Sequence, residues 1–162
     1  MSFLELSNTD VVHAEVWVAG LVGTVATVED LARRTVSNWL PALALAGGLA
    51  GHSVVEGWRG AGSALLGAVG GFCVFLVFYL LGGMGGGDVK LMAGFGAILG
   101  VGRLLPATLL AAVFGAAIAA GVLGVSAILR VLKKGGRTDR PLAIPYAPAI
   151  VMGVWLTLFA SL

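Results

Sequence analysis

The stretch AGSALLGAVGGFCVFLVFYLLGGMGGGDVKL, residues 61–91, joins two contrasting halves. Positions 61–81 carry no charged side chain. As a helix rising ~1.5 Å per residue, that run crosses the ~30 Å hydrocarbon core of a bilayer. The second half collapses into glycine and ends on a carboxylate, Asp88. An acidic residue at the edge of an apolar span is expensive in lipid, roughly 2.5–3.5 kcal/mol on insertion scales, and ordinarily faces protein or a water-filled cavity.

Working outward, further apolar runs occupy about 11–28, 40–55, 89–101, 106–132 and 142–162. The expected fold is therefore all-α: a polytopic membrane protein of about six transmembrane helices, with residues 1–162 forming one domain. Composition agrees. The chain is 59% hydrophobic and 11% charged, its mean hydropathy is +1.02, and soluble domains are nearer one quarter charged. The net charge of +2 does not point to nucleic acid, because the basic residues cluster at the ends of apolar runs, where membrane orientation explains them. The first residues, Met1 to Glu5, lack the basic segment of a secretory leader. Cys73 is the single cysteine, which leaves no internal disulfide and no cysteine metal site. Its plainest role is that of a small apolar packing residue. No metal or other cofactor is expected.

Six spans sort the loops into two sets. Arg33, Arg34, Lys90, Arg130, Lys133, Lys134, Arg137 and Arg140 fall on one side; only Arg59 and Arg103 fall on the other. Cytoplasmic loops carry the basic excess. Both termini are therefore expected outside the cytoplasm, and Asp30 and Asp88, two spans apart, both at the cytoplasmic face. His13 and His52 fall on the opposite side. Glycine pairs four residues apart, Gly47 with Gly51, Gly67 with Gly71 and Gly96 with Gly100, predict helices whose backbones approach closely.

Two carboxylates on neighbouring helices can share one proton, because like charges a few ångströms apart in a poorly solvated site do not both ionise readily. Such a pair can draw a proton from water while protonating a peptide carbonyl. Glu29 is adjacent to Asp30, but neighbours on a helix point ~100° apart, so at most one of the two faces a partner. Asp88 at a helix start could instead serve only as a cap for exposed amides. Lys90, close to a helix end, is read equally well as a snorkelling anchor or as a support to Asp88. Paired aspartates could also relay protons or bind a cation, so a small transporter is the alternative reading.

Gly85-Gly86-Gly87-Asp88-Val89-Lys90-Leu91 matches the pattern Gly-x-Gly-Asp-x-Lys-Leu, and Asp30 is followed by Arg34-Thr35-Val36-Ser37-Asn38. PLAIPYAP spans residues 141–148. With these three elements the chain, from about Asp30 onward, resembles the prepilin peptidases, Gly-x-Gly-Asp intramembrane aspartic peptidases. Asp30-x-x-x-Arg34-x-x-x-Asn38 resembles the surroundings of the family's first catalytic aspartate, although Val36-Ser37 replaces its Ile-Pro and implies a less rigid loop. PLAIPYAP is similar to the family's Ile-Pro-Phe/Tyr-x-Pro segment. The presenilin-like branch fits less well, since Val28-Glu29-Asp30 lacks its tyrosine.

The resemblance implies a membrane aspartic endopeptidase of the prokaryotic cytoplasmic (inner) membrane. Its catalytic residues would be Asp30 and Asp88, with Gly85, Gly87, Lys90, Arg34 and Asn38 binding substrate or supporting the pair. Its partners would be membrane lipids and a prepilin, whose short basic leader it would cleave at the cytoplasmic face. The family's long forms add a cysteine-bearing cytoplasmic domain and methylate the new N-terminus. With neither those cysteines nor that length, the chain resembles the short form associated with tight-adherence (Flp-type) pili, for which no methyltransferase activity is expected.

Overall fold

The computed structural model describes residues 8–132 and 146–160. Among these every regular element is a helix: α1 (Asn8–Arg33), α2 (Trp39–Glu56), α3 (Trp58–Leu80), α4 (Gly86–Leu132) and α5 (Ala147–Phe159). The basic loop from Lys133 to Arg140, Asp139 within it, and the start of PLAIPYAP lie outside the described residues. By length and apolar composition alone, two stretches among the described residues could cross a membrane: Trp58–Leu80 and Gly86–Ile128, the second broken at Gly100.

The chain was expected to form six helices, with the fourth and fifth runs separated before Pro106. Five are observed, and those two runs share α4. The break comes earlier than expected, at Gly100, whose φ of 62° and ψ of 179° are non-helical and accessible essentially only to glycine. Pro106 sits inside the helix beyond it. The two legs, 86–99 and 101–132, fold back on each other. A Cβ placed on Gly71 would lie 2.7 Å from the Met92 carbonyl oxygen and 3.5 Å from a Leu104 methyl; in an unbroken helix residues twelve apart are separated by ~18 Å.

Small residues bring the helices together. A Cβ on Gly67 would fall on the Gly96 carbonyl, and one on Gly96 on the Gly67 carbonyl. The expected seam between glycine pairs is therefore the α3–α4 contact. On α2 it is Gly48 whose added Cβ would meet the backbone of Ala97 and Ile98, whereas one on Gly47 would meet Val18. Gly153 brings α5 equally close to Ala107 and Ala111. Gly57, at φ 57°, makes the one-residue link between α2 and α3.

The interior is largely alanine and glycine around Leu40, Leu91, Met92, Phe95, Ile98 and Ile150. Large apolar side chains point outward instead, including Leu66, Leu105, Leu109 and Val113. A water-soluble fold buries such residues; an apolar exterior of this extent suits lipid. Cys73, expected inside the packing, is exposed.

Candidate active site

Asp30 lies one turn before the end of α1, whose last residue is Arg33. The helix closes with the Arg34 N–H donating to the Asp30 carbonyl (2.9 Å), and Arg34 takes a left-handed φ of 55°. That conformation ends many helices but normally uses glycine or asparagine. An arginine there carries steric strain of the kind found at functional sites. The loop beyond is held by Glu29, which accepts the Ser37 backbone N–H (2.8 Å) and hydroxyl (2.9 Å). These bonds tie the loop back to α1. A proline at position 37 would restrict φ but have no N–H, so Ser37 replaces the ring's constraint with two hydrogen bonds to a carboxylate. Glu29 is committed to this task, which separates it from Asp30.

Asp88 stands in the first turn of α4. Its Oδ2 reaches back to accept the Gly85 N–H at 3.2 Å, the reverse half of a capping box. The cap reading of Asp88 is thus correct for one oxygen, and does not account for its place in the cavity described below. Asp30 Oδ2 accepts the Ala147 N–H at 3.1 Å, at the start of α5. Each carboxylate is therefore oriented by one backbone amide. Among the described residues no cation lies within ion-pair distance of either.

α1 and α4 touch directly at few points and are bridged by α2 and α5, so they are not the closely packed neighbours that paired aspartates suggest. Their carboxylates nevertheless line one cavity of about 300 Å³, together with Arg34, Asn38, Gly85, Gly87 and Lys90. All seven positions singled out from the sequence border the same space. Lys90 Nζ donates to Asn38 Oδ1 at 3.0 Å. Asn38 is the N-cap of α2 yet makes no side-chain cap bond; its amide is turned to Lys90 instead. Gly87 allows the other close approach, since a Cβ there would meet Val36 at 3.4 Å. His52 is remote, 3.6 Å from Glu15 in a separate cluster.

The roles of Ala147, Glu29 and the Gly85 amide were not read from the sequence. PLAIPYAP drew attention to the segment containing Ala147, but a backbone donor has no side-chain signature. Among the described residues no group of three or more histidine, cysteine or acidic side chains could hold a metal.

Two carboxylates thus converge on one polar cavity, each fixed by a backbone amide. Residues 17–120 match the model of the type IV leader peptidase family. The chain belongs to that family. It is also 36% identical over 103 residues to the prepilin leader peptidase/N-methyltransferase of Bacillus subtilis (strain 168), a match covering 62% of this chain and 36% of that protein. The chain thus spans little more than a third of its longer relative. No solved structure matches it. The family match includes both Asp30 and Asp88 and ends before α5, so the Ala147 amide that orients Asp30 lies outside the matched stretch.

Proposed function

We propose that the chain is a membrane aspartic endopeptidase that removes the leader of a type IV prepilin, with Asp30 and Asp88 as its catalytic pair. The observation that carries this reading is their convergence on one cavity, with neither carboxylate in an ion pair among the described residues. The pair would hold a single proton. The ionised carboxylate takes a proton from water, whose oxygen attacks the scissile carbonyl carbon. The protonated carboxyl donates to the carbonyl oxygen. Collapse of the tetrahedral intermediate then breaks the C–N bond as a proton passes to the departing amine.

The membrane setting extends this proposal. Counting the two legs of α4 separately gives six spans, with both termini outside and the aspartates at the cytoplasmic face, as the distribution of basic residues favours. The 86–99 leg, at ~1.5 Å per residue, is only ~21 Å long, and α5 has 13 residues. Both fall short of the ~30 Å core. The helices that begin at Gly86 and Ala147 would therefore start below the membrane surface, leaving a recess in which water meets an apolar substrate helix. The substrate is a prepilin of the Flp type, and methylation is not part of the activity.

The test is a gel-shift assay in liposomes, with purified protein and candidate prepilins from the same genome. A leader-sized shift produced by the wild type, and by neither Asp30→Asn nor Asp88→Asn, supports the proposal. Folded protein that cleaves no candidate, yet carries protons or cations across the liposome, would replace it with the transporter reading.

A further inference from the structure

Among the described residues Arg34 is the single non-glycine with a positive φ, 55°. At such a φ a side chain crowds its own backbone, a cost that glycine avoids. The turn has a geometric consequence. Had α1 continued, Arg34 would stand one turn beyond Asp30, where an aspartate and an arginine four residues apart face each other and pair. The left-handed turn breaks that register.

Arg34 lines the same cavity as Asp30 and Asp88, yet among the described residues neither an ion pair nor a hydrogen bond holds its guanidinium. The cavity's other cation is engaged, since Lys90 Nζ donates to Asn38 Oδ1 at 3.0 Å. The turn is also braced, because Glu29 accepts both the N–H and the hydroxyl of Ser37. A strained and braced backbone thus offers a rigid fork of N–H donors to the space that the two carboxylates share. Arg34 is exposed, so substrate reaches it without displacing other side chains.

Resting on the peptidase reading above, we propose that Arg34 is a third catalytic residue, whose guanidinium donates to the scissile carbonyl oxygen and stabilises the negative charge that develops there as water attacks. That oxygen has two lone pairs. One takes the proton of the protonated aspartic acid, and the other accepts from Arg34. No bond to Arg34 forms and none of its protons is transferred, because a guanidinium stays ionised throughout. An Arg34 paired with Asp30 would commit its donors to that carboxylate instead of to substrate, which is the arrangement the left-handed turn prevents. A fixed donor aimed where charge develops is among the larger contributions to acyl-transfer catalysis.

The experiment uses the full chain in liposomes of zwitterionic lipid, with and without phosphatidylglycerol, and candidate prepilins from the same genome. Arg34→Gly relieves the strained turn and should melt no lower than wild type, while kcat on the plateau of its pH profile falls ~100- to 1,000-fold and KM stays within about threefold. Arg34→Gln, which keeps the side chain's bulk without its charge, should lose a similar factor. Millimolar guanidinium should restore kcat of Arg34→Gly at least ~10-fold, and saturably, by supplying the missing donors; it should not restore Asp30→Asn. A kcat for Arg34→Gly within about threefold of wild type, or a rise in KM alone, would overturn this role and leave the peptidase standing. So would a loss recovered in full at another pH, which would place the effect on the aspartates, or one confined to vesicles with phosphatidylglycerol, which would make Arg34 a headgroup anchor. Wild type that cleaves no candidate prepilin would overturn both.

Discussion

The two ends of α1 each bury a carboxylate, and the two are treated differently. Glu15 is 6% exposed, and Asp30 and its counterpart Asp88 are each 7% exposed, so burial does not distinguish them. Partnership does. Glu15 accepts from Arg103 Nη2 at 2.8 Å and lies 3.6 Å from His52 Nε2. Arg103 Nε also donates to the Leu99 carbonyl at 3.2 Å, and His52 Nε2 lies 3.0 Å from that of Ile98. Those two carbonyls immediately precede the reversal at Gly100. A charge balanced in this way fastens α1 and α2 to the α4 turn. Asp30 and Asp88 are instead each held by a single backbone amide.

The largest effect should separate the two ends outright. Asp30→Asn or Asp88→Asn should lower prepilin cleavage ~100- to 10,000-fold, the range for loss of a general acid or base, in protein that still folds. A loss of only a few fold, measured by single-turnover cleavage, would remove the contrast. At the other end, Glu15→Gln or Arg103→Met alone should destabilise the protein by ~3–5 kcal/mol, because one buried charge loses its partner. Thermal unfolding in detergent would report this, while kcat per folded molecule stays within about threefold of wild type. The Glu15→Met/Arg103→Met double variant should recover most of the stability. Folded but inactive single variants would show that the far end acts on the chemistry.

Between the ends, Gly67→Ala or Gly96→Ala should cost ~1–3 kcal/mol by forcing α3 and α4 apart. Unchanged melting would mean the seam is looser than its geometry. The smallest effect tests two adjacent side chains. Glu29→Ala frees Ser37 and should cost ~1–2 kcal/mol, with cleavage reduced less than tenfold and hydrogen exchange faster in the loop from Arg34 to Asn38. If it matches Asp30→Asn in severity, Glu29 belongs to the chemistry.

Much of the site was legible in the sequence because its signals were local. Asp88 stood out from a glycine run, and Asp30 stood four residues before Arg34 and eight before Asn38. The number of helical elements was less legible. Pro106 suggested a boundary that Gly100 provides instead, because the φ 62°, ψ 179° of the reversal is accessible essentially only to glycine, while Pro106 lies within the helix that follows.

By itself the sequence determined the helical, apolar character of the chain and the identity of the residues around its aspartates. Both follow from composition, run length and short spacings. Only the tertiary structure decided that α4 reverses, that Glu15 is matched by Arg103, and that the amides of Ala147 and Gly85 orient the carboxylates. Those features depend on which backbone atoms arrive beside which side chains. Arg103 lies 88 positions from Glu15 and Ala147 lies 117 from Asp30, and such pairings emerge from helix packing rather than from any local pattern.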